Sequence, residues 1–448
     1  MEVINIRTAS LGDATYIIAI GEQAIVVDPQ RDIGRFMDIV DERGLAVTHV
    51  LETHMHNDYI SGGRDLAKRT GADLVLPASS GAGFAFVPAF HGELLDAAGG
   101  YSIHPLHTPG HTPAHTSYLI TREGEAGAVF TGGSLLVGAA GRSDLLGDEY
   151  ARQLAVLQFG SLQRLGQLPD ETGVFPTHGE GSFCTASGAG RTTSTIGDEK
   201  AENVLYSFTD AESFADNQLS GLVPYPSYYQ YMGGINRNGP TALETATIPT
   251  MEPAAVAAHL AAGGSVLDGR GRDDFAAGHV PGSLGIEIGD SFAPWAGWLL
   301  DFHAPVVLVL DPSQDAVAAA VELGRIGLEK VVGVMRGVDA WGDEDRQLAR
   351  YESASITDLS MAMAAGNADL QILDVRDPLE WAAGHIEGSV HCYVPDIGEE
   401  VPAGIDAAKP VWVVCRTGNR ANIAAGILEG AGLDLIVVSK GGVPDLVN

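Results

Sequence analysis

The chain has 448 residues, of which 45% are hydrophobic and 19% charged, a composition that can bury the cores of about two to four globular domains. The net charge of −32 disfavours phosphate backbones and anionic lipids as ligands, so we expect neither nucleic-acid nor membrane binding. The three cysteines form no CxxC pair, and their odd number argues against a disulfide framework, so we expect free thiols in a reducing compartment, the cytoplasm.

The N-terminal half shows α/β patterning. Its first 20 residues lack a cationic start and predict no signal peptide, and no apolar run reaches the roughly 18 residues of a membrane span. Hydrophobic periodicity predicts a strand at Ala24–Val27, a helix at Ile33–Arg43 and a strand at His49–Thr53. Residues 216–245, rich in Tyr, Pro and Gly, predict a connector, either a solvent loop or, given its aromatic content, a packed segment.

The C-terminal half contains an internal repeat with a period of about 105 residues. Ser265–Ser283 (SVLDGRGRDDFAAGHVPGS) matches Gln371–Ser389 (QILDVRDPLEWAAGHIEGS), and Pro305–Ala316 matches Pro410–Ala421 without a gap. Each copy reads strand, turn, helix, strand, which predicts a small parallel α/β domain. We therefore predict three domains, at residues 1–245, 246–350 and 351–448.

Four histidines follow apolar strands in turns of small residues. His54, His56 and Asp58 lie in THMHND directly after VTHVLET, where a strand's end places polar groups in the ligand crevice of an α/β sheet. His111 lies in TPGHTPAH and His178 in PTHGEGS. Because imidazole and carboxylate groups that converge from several loops bind metals, we predict that these five residues hold a metal ion. The alternative is a metal site that has degenerated.

The segments THMHND, TPGHTPAH, VFTGGSLLVGAAGRSDLLG and PTHGEGS, in this order, resemble the metallo-β-lactamase superfamily and, more narrowly, its glyoxalase II and persulfide dioxygenase branch. The resemblance implies an αββα sandwich with the metal at one edge of its two sheets. In the hydrolases, the positions of His54, His56 and His111 bind one zinc ion, and those of Asp58 and His178 help to bind a second. In the dioxygenases, one iron(II) is held by the positions of His54 and His111 and by an Asp.

The chain departs from this pattern at two positions. The usual Asp of the FTGD turn is Gly133, and the usual last His of HxHxDH is Tyr59. The first loss removes the dioxygenase facial triad as the family builds it, and the second disfavours a two-zinc hydrolase. Three arrangements remain open: His56 turns inward to complete a three-histidine site, Asp58 supplies the carboxylate, or the site binds metal weakly and is silent.

Two further residues near these motifs are predicted to bind substrate. Tyr59 either donates a hydrogen bond to an oxygen at the metal or packs half-buried, and Arg142, in GRSDL, either faces an anionic substrate or pairs with Asp144, the arrangement we favour. Cys184 and Cys392 lie in surroundings unlike those of a reactive cysteine and are predicted to be structural.

Cys415 ends the apolar strand VWVV and opens the loop Cys-Arg-Thr-Gly-Asn-Arg, which runs into the helical pattern ANIAAGILEG. Free backbone N–H groups at a helix start and the nearby guanidinium groups favour a thiolate and can cradle the terminal sulfur of a persulfide. A buried structural cysteine is the alternative. We predict three catalytic residues, Cys415, Arg416 and Arg420, and three substrate-binding residues, Thr417, Gly418 and Asn419.

This loop is similar to the six-residue active loop of rhodanese sulfurtransferases, and Asp374–Arg376 and Gly384–Ser389 resemble other rhodanese signatures. Phosphatases of related fold carry a loop one residue longer, so the loop length favours sulfur as the centre attacked. In the first copy Leu310 stands at the cysteine position and Asp315 at that of the second arginine. We predict that this copy is a scaffold without transferase activity.

The order metal domain, silent rhodanese, active rhodanese resembles the bacterial persulfide dioxygenase–rhodanese fusions. The resemblance implies that one Fe(II) per chain, or alternatively zinc, is bound. It also implies that O₂ oxidises a low-molecular-weight thiol persulfide to sulfite, and that Cys415 passes a sulfane sulfur to sulfite, giving thiosulfate. We expect a homo-oligomer. Two rival functions remain: a zinc thioester hydrolase similar to glyoxalase II, and a silent metal domain that scaffolds a Cys415 sulfur carrier.

Overall fold

A computed structural model describes residues 1–179, 181–184, 191–244, 247–342, 346–366, 369–398 and 400–447. The chain divides into two compact units, one of residues 1–244 with 324–327 and one of the described residues within 247–323 and 328–447. The predicted boundary between residues 245 and 246 lies outside the described residues. Across the described ranges, no helix combines the length and the apolar character needed to cross a bilayer.

The N-terminal unit contains two six-stranded sheets. The strands of the first sheet lie side by side in chain order: β1 Glu2–Thr8, β2 Asp13–Ile20, β3 Gln23–Val27, β4 Ala46–Leu51, β5 Asp73–Pro77 and β6 Val87–Ala89. β1 to β3 pair antiparallel, and β3 to β6 pair parallel.

The strands of the second sheet also lie side by side in chain order. Among its described pairs, β10 and β11 are parallel and the others are antiparallel. Its strands are β7 Leu95–Asp96, β8 Ser102–His107, β9 Thr116–Thr121, β10 Ala128–Gly132, β11 Gly173–Pro176 and β12 Ser194–Thr195. The helices of this unit are α1 Gly34–Glu42, α2 Gly63–Thr70, α3 Asp148–Leu165, α4 Ile196–Glu202, α5 Ala211–Ser220 and α6 Tyr229–Asn238.

Within the described residues, hydrophobic cores lie between these layers. Side chains from both sheets, among them Tyr16, Val27 and Phe130, are fully buried between the sheets. A second core lies between the first sheet and α1 and α2, and a third lies between the second sheet and α3 to α5. Strands buried on both faces carry continuous apolar runs, such as YIIAI in β2. The predicted αββα sandwich is confirmed.

The predicted elements near the site agree with the structure within a few residues. The predicted strand at Ala24–Val27 is β3 and the predicted helix at Ile33–Arg43 is α1, which is one residue shorter at each end. The strand predicted at His49–Thr53 is β4, which begins at Ala46 and ends at Leu51. β4 ends early because the Thr53 N–H donates to a carboxylate oxygen of Asp28, at 2.7 Å, instead of to a neighbouring strand.

The C-terminal unit contains two sheets in which all neighbouring strands are parallel. The first has the order β14-β13-β15-β16 and the bounds β13 Ser265–Asp268, β14 Leu284–Gly285, β15 Val306–Leu310 and β16 Val331–Arg336. The second has the order β17-β21-β20-β18-β19 and the bounds β17 Glu352–Ser355, β18 Gln371–Asp374, β19 Val390–His391, β20 Val411–Val414 and β21 Leu435–Lys440.

Helices flank both of these sheets. They are α7 Pro253–Ala261, α8 Arg272–Ala277, α9 Phe292–Leu299, α10 Ala316–Arg325, α11 Asp339–Gly342, α12 Ile356–Ala364, α13 Pro378–Ala383 and α14 Asn419–Leu428. Short 3₁₀ helices lie at Ala9–Leu11, Ala98–Gly100, Val204–Ser207, Val394–Asp396, Glu429–Ala431 and Val443–Asp445.

The sequence repeat is a structural repeat. At the end of β13, Arg270 donates to both carboxylate oxygens of Asp268 and to the Gly278 carbonyl. At the end of β18, Arg376 makes the same three contacts, to Asp374 and to the carbonyl of Gly384. The two predicted parallel α/β domains are confirmed.

Candidate functional site

Three of the predicted metal ligands converge at one edge of the N-terminal sandwich. β4, β8 and β11 end two to four residues before His54, His111 and His178, respectively. All three imidazoles are buried, and one nitrogen from each lies within 4.8 Å of the others. The Nε2 atoms of His54 and His178 are 3.4 Å apart, and the ring centres of His54 and His111 are 4.8 Å apart.

The opposite nitrogen of each ring, Nδ1, is held from outside the cluster. The partners, each at 2.8 Å, are Thr53 Oγ1 for His54, the Arg142 carbonyl oxygen for His111 and Asp13 Oδ1 for His178. Hydrogen bonds of this kind fix the tautomer and orientation of metal-binding imidazoles. The Nε2 atoms are thereby turned towards one another, and that of His111 has no hydrogen-bond partner among the described residues.

The charges of the three rings fit a metal ion. Burial and then the neighbouring histidines hold the pKa of His54 well below its ordinary value, and burial with His178 lowers the pKa of His111 to about 3. Both rings are neutral and offer a lone pair. Although burial opposes it, Asp58 and Asp13 raise the pKa of His178 to about 10. Burial and the charge of Asp58 raise the pKa of Asp13 to about 8, whereas His178 holds the pKa of Asp58 below its ordinary value although burial opposes it. Asp58 thus stabilises one positive charge at His178, and a divalent cation among the Nε2 atoms would replace that proton.

His56 offers different surroundings to its two ring nitrogens: Nδ1 is buried without a hydrogen-bond partner among the described residues, and the ring centre lies 4.2 Å from that of His54. Its Nε2 lies 3.0 Å from a Glu52 carboxylate oxygen, 3.3 Å from Asp28 Oδ1 and 3.0 Å from the Tyr59 hydroxyl. Although burial opposes it, the charges of Asp28 and Glu52 raise the pKa of His56 well above its ordinary value. Carboxylates therefore hold Nε2, whereas Nδ1 stays available to a metal, and His56 groups with Asp58 and His178 as possible ligands. The three-histidine set of His54, His56 and His111 stays a prediction.

Asp58 lies beside His178 on the side facing away from His54. Its Oδ2 is 3.2 Å from His178 Nδ1, and neither carboxylate oxygen makes a hydrogen bond within the described part of the chain. His56, Asp58 and His178 also place one ligand atom each within 4.8 Å of one another. His178 thus belongs to two groups that are able to hold a metal, one with two further imidazoles and one with a carboxylate.

The backbone at Gly133 leaves no space for the family's Asp. A Cβ atom built there would lie 2.2 Å from His111 Cδ2 and 2.6 Å from His111 Cγ. The Gly133 N–H donates to His115 Nε2 at 3.1 Å, and His115 in turn contacts Thr108 Oγ1 through Nδ1 at 2.9 Å. His111 therefore occupies the position that the missing side chain would require.

The two predicted substrate contacts are internal to the protein. Tyr59 is fully buried, stacks on the His56 ring at 4.3 Å between centres, and donates to the Asp28 carbonyl at 3.3 Å. Arg142 makes two contacts of 2.6 Å to the Asp144 carboxylate, the pairing that we favoured. Cys184 is buried with its Sγ 3.7 Å from the Tyr229 hydroxyl, and Cys392 is half-buried.

The aromatic segment before residue 245 packs against the metal-site loop. In α6, Asn236 donates from Nδ2 to the carbonyl oxygens of His56 and Tyr59, both at 2.8 Å. The Tyr228 hydroxyl donates to the Asp58 carbonyl at 2.9 Å. The part of this predicted connector that the structure describes therefore fixes the loop that carries His54, His56 and Asp58.

Sequence reasoning missed the carboxylates behind the histidines: Asp13, Asp28 and Glu52. Asp28 follows β3 in an Asp-Pro pair and is the one described non-glycine residue with a positive φ, 51°. Although burial opposes it, the charge of His56 holds the pKa of Asp28 below its ordinary value. The Asp-Pro turn after a strand was a usable signal for Asp28, whereas nothing local distinguishes Asp13, which meets His178 from 165 residues away.

Cys415 lies in the C-terminal unit between the end of β20 and the start of α14. Its Sγ accepts a hydrogen bond from the Gly418 N–H at 3.1 Å, and the residue is 1% exposed. Gly418 has φ 95° and is the N-cap of α14, a left-handed conformation that glycine adopts without strain. Of the other predicted binding residues, Thr417 is exposed and Asn419 is half-buried. The loop thus curls so that a backbone N–H points at the sulfur.

The two predicted catalytic arginines differ in their surroundings. Arg420 is held by both Glu380 carboxylate oxygens and by Asp377 at 3.3 Å. Arg416 is 67% exposed, and its guanidinium lies 4.0 Å from Glu380. A cleft of about 240 Å³ opens beside it, lined by Arg376, Glu380, Ala383, Gly384, Arg416, Pro444 and Val447. Arg416 is therefore free to meet an anionic substrate, whereas Arg420 contributes a fixed charge.

In the first copy, side chains occupy the space of the loop that corresponds to the Cys415 loop. Leu310 is fully buried at the end of β15, and Gln314 Nε2 donates to the Gly269 carbonyl at 2.8 Å. Arg336 donates to the Asp311 and Gln314 carbonyls. The side chain of Leu310 and the amide of Gln314 thus fill the space of the corresponding loop, and the absence of transferase activity from this copy stays a prediction.

Two family models match the chain. The metallo-beta-lactamase superfamily model matches residues 11–178, and the rhodanese-like domain model matches residues 252–344 and 355–448. The crystal structure of a metallo-beta-lactamase from Staphylococcus aureus subsp. aureus COL is 28% identical and covers 75% of this chain and 99% of that one, with a TM-score of 0.66. ETHE1 from Myxococcus xanthus is 33% identical and covers 53% of this chain and 98% of its own, with a TM-score of 0.46.

Curated relatives match the N-terminal part. Hydroxyacylglutathione hydrolase from Methylobacillus flagellatus is 35% identical over 35% of this chain and 57% of its own length. The human hydroxyacylglutathione hydrolase-like protein is 36% identical over 32% of this chain and 48% of its own length. The chain thus spans about half the length of these relatives. By the matched models, the chain joins a domain of the metallo-β-lactamase superfamily to two rhodanese-like domains, the second of which carries Cys415.

Proposed function

We propose that this chain oxidises a low-molecular-weight thiol persulfide to sulfite at its N-terminal domain and transfers sulfane sulfur at Cys415 to form thiosulfate. The observation that carries the proposal is the contact between the Gly418 N–H and Cys415 Sγ, at 3.1 Å, in a loop that opens a helix. A backbone N–H aimed at a buried sulfur stabilises a thiolate, and equally the terminal sulfur of a persulfide.

The transfer step balances without an external oxidant or reductant. The Cys415 thiolate attacks the sulfane sulfur of a donor persulfide, an S–S bond forms to Cys415, and the donor leaves as a thiolate with the electron pair of the broken bond. Sulfite then attacks the outer sulfur of the Cys415 persulfide, which releases thiosulfate and restores the thiolate. Arg416, exposed beside the cleft, is suited to attract the dianionic sulfite.

At the N-terminal site we propose His54, His111 and His178 as the residues that hold the metal ion. A bound Fe(II) would supply the redox chemistry of the overall reaction, in which persulfide, O₂ and water give thiol, sulfite and two protons. The protein keeps the rings of His54 and His111 neutral and fixes that of His178 through Asp13. All of these side chains are buried, so bulk water has little access to them.

A second function is favoured by a separate observation. His56, Asp58 and His178 form a group suited to another metal ion, and two relatives are named hydroxyacylglutathione hydrolases or similar. A two-zinc thioester hydrolase would use this group together with His54 and His111. Glu52 and Asp28 hold only the Nε2 of His56 and leave its buried Nδ1 without a hydrogen-bond partner among the described residues, which is compatible with this group. Against the hydrolase, Tyr59 stands in place of the last His of HxHxDH.

The test is oxygen consumption by anaerobically iron-loaded protein given glutathione persulfide, with bound iron and sulfur products quantified on the same sample. We expect uptake in proportion to iron and thiosulfate as the product. Cys415→Ser is expected to keep the uptake but release sulfite, and His111→Ala is expected to abolish the uptake but keep sulfur transfer.

Other outcomes separate the alternatives. Bound iron without oxygen uptake would refute the dioxygenase. Hydrolysis of a hydroxyacylglutathione by the zinc-loaded protein would then establish the hydrolase. If His111→Ala changes no activity while Cys415→Ser removes all of it, the N-terminal domain is a scaffold for a sulfur carrier.

A further inference from the structure

The silent copy touches the Cys415 loop directly, within the same compact unit. Arg272, the first residue of α8, donates from Nη1 to the Thr417 carbonyl at 3.0 Å. The Glu287 carboxylate holds the same guanidinium at 2.8 Å through Nε and at 2.7 Å through Nη2. The side chain is therefore fixed in orientation as it reaches the loop of the other copy.

The Thr417 carbonyl and the Gly418 N–H belong to one peptide unit. In a planar trans peptide these two groups point in opposite directions, so a donor at the oxygen fixes the direction of the N–H. Here the oxygen meets Arg272 and the N–H meets Cys415 Sγ at 3.1 Å. A cation at the oxygen also polarises the peptide, which strengthens the N–H as a donor to a sulfur anion.

The helix that follows the Cys415 loop, α14, packs closely against the first copy. In α14, Asn422 Nδ2 donates to the Gly285 carbonyl at 2.9 Å. A Cβ built at Gly426 would lie 3.4 Å from the Gly285 N, and one built at Gly418 would lie 2.9 Å from Arg272 Nη1. The two copies thus share a close interface that extends from α14 to the loop containing Cys415.

The contact is not reciprocal. In the sequence repeat, the residue of the active copy that corresponds to Arg272 is Pro378, which has no side-chain donor. The silent copy has therefore lost the nucleophile position at Leu310 but carries an arginine aimed at the active loop of its neighbour.

We propose that Arg272 is a positioning residue for Cys415, which fixes and polarises the Thr417–Gly418 peptide so that its N–H holds the sulfur anion. This inference rests on the proposed sulfur transfer at Cys415. It gives the silent copy a role in the reaction beyond that of a packing partner.

The test compares Arg272→Ala and Arg272→Lys in the full-length protein. The matched control is Lys440→Ala, which removes another cation from the same interface, 3.2 Å from Asp273 and 71% exposed. Two rates are measured: alkylation of Cys415 by iodoacetamide at pH 7, followed on its peptide by mass spectrometry, and sulfur transfer from thiosulfate to cyanide.

We expect Arg272→Ala to lower the alkylation rate and the kcat of transfer by about threefold to tenfold, with less than about a twofold change in KM. Arg272→Lys, which retains a cation, is expected to recover most of both rates, and Lys440→Ala to behave as the wild type. Wild-type rates in Arg272→Ala, or equal losses in Lys440→Ala, would overturn the proposal. If Arg272→Ala does not fold, Arg272→Lys is compared with the neutral variant Arg272→Gln instead. Equal alkylation and transfer rates in these two variants would refute the proposal. A wild-type protein without transfer activity would refute the proposed function, whereas the alkylation rates would still test Arg272.

Discussion

Replacing Gly133 by Ala tests whether His111 has taken the space of the family's Asp. A Cβ at this position would lie 2.2 Å from His111 Cδ2, 2.6 Å from Cγ and 2.7 Å from Nε2. Non-bonded carbon atoms sit comfortably at about 3.5–4.0 Å, so the ring must move by more than about 1 Å. The ring is buried and its Nδ1 is tied to the Arg142 carbonyl at 2.8 Å, which leaves it little room to move.

The expected loss follows from these distances. Overpacking of this kind costs about 1–3 kcal/mol of unfolding free energy. Metal–ligand distances tolerate only about 0.2 Å, so a shift of about 1 Å takes His111 out of a ligand set, and metal affinity should fall at least about tenfold. The assay is cobalt(II) binding followed by visible absorption, with thermal unfolding of the metal-free protein recorded in parallel.

The matched control is Gly160→Ala in α3, where an added Cβ meets nothing within 4 Å. This variant should bind cobalt as the wild type does, and it should be as stable or slightly more stable because alanine favours helix. Wild-type affinity and stability in Gly133→Ala would refute the idea that His111 occupies the place of the missing carboxylate.

Three further predictions concern the two sites. His178→Ala should lower metal affinity by more than about 100-fold and His56→Gln by less than about threefold, as measured by metal titration; equal losses would contradict the proposed ligand set. Cys415→Ser should abolish thiocyanate formation from thiosulfate and cyanide and leave metal content unchanged; residual transfer would point to another sulfur carrier. Although burial opposes it, N–H donors of α13 and the charge of Arg420 hold the pKa of Asp377 below its ordinary value. Its stabilisation is therefore present above the unfolded pKa of about 3.9 and is lost as pH falls through the lower folded pKa. Wild type and Asp377→Asn should differ by about 1 kcal/mol in urea unfolding at pH 6 and converge near pH 2; a gap that persists at low pH would contradict this.

The fold and the sulfur loop could be predicted because their signals are local. The strand patterns before His54 and Cys415 place each residue at the end of a buried strand, and the repeat identifies the copy in which Leu310 replaces the cysteine. The loop from Cys415 to Arg420 is contiguous in sequence, so it can be identified without knowing any contact to a distant part of the chain. The Arg142–Asp144 pair, two residues apart, was likewise within reach of sequence reasoning.

The sequence does not predict the ligand set, because carboxylates far away in sequence determine how each histidine ring is oriented. Nε2 of His56 faces Asp28, which follows the preceding strand, and this contact decides that Nδ1 is the nitrogen left for a metal. His178 owes its orientation to Asp13, which is 165 residues away along the chain. A motif such as HxHxD shows which side chains are close in sequence, but the direction of each ring depends on carboxylates that only the folded sheets bring near.

The glycine at position 133 has an electrostatic consequence for the proposed ligand set. A ligand set of His54, His111 and His178 contains no carboxylate, and Asp58 lies behind His178, 3.2 Å from its outer nitrogen. A divalent ion in such a set keeps more of its positive charge than one with a directly bound Asp, because charge at a greater distance neutralises it less. An anionic persulfide gains from that excess charge, whereas a neutral thioester gains much less. In the proposed ligand set, the missing Asp would therefore favour sulfur anions over neutral thioesters as ligands of the ion, while it also removes the carboxylate of the dioxygenase triad that the resemblance implies.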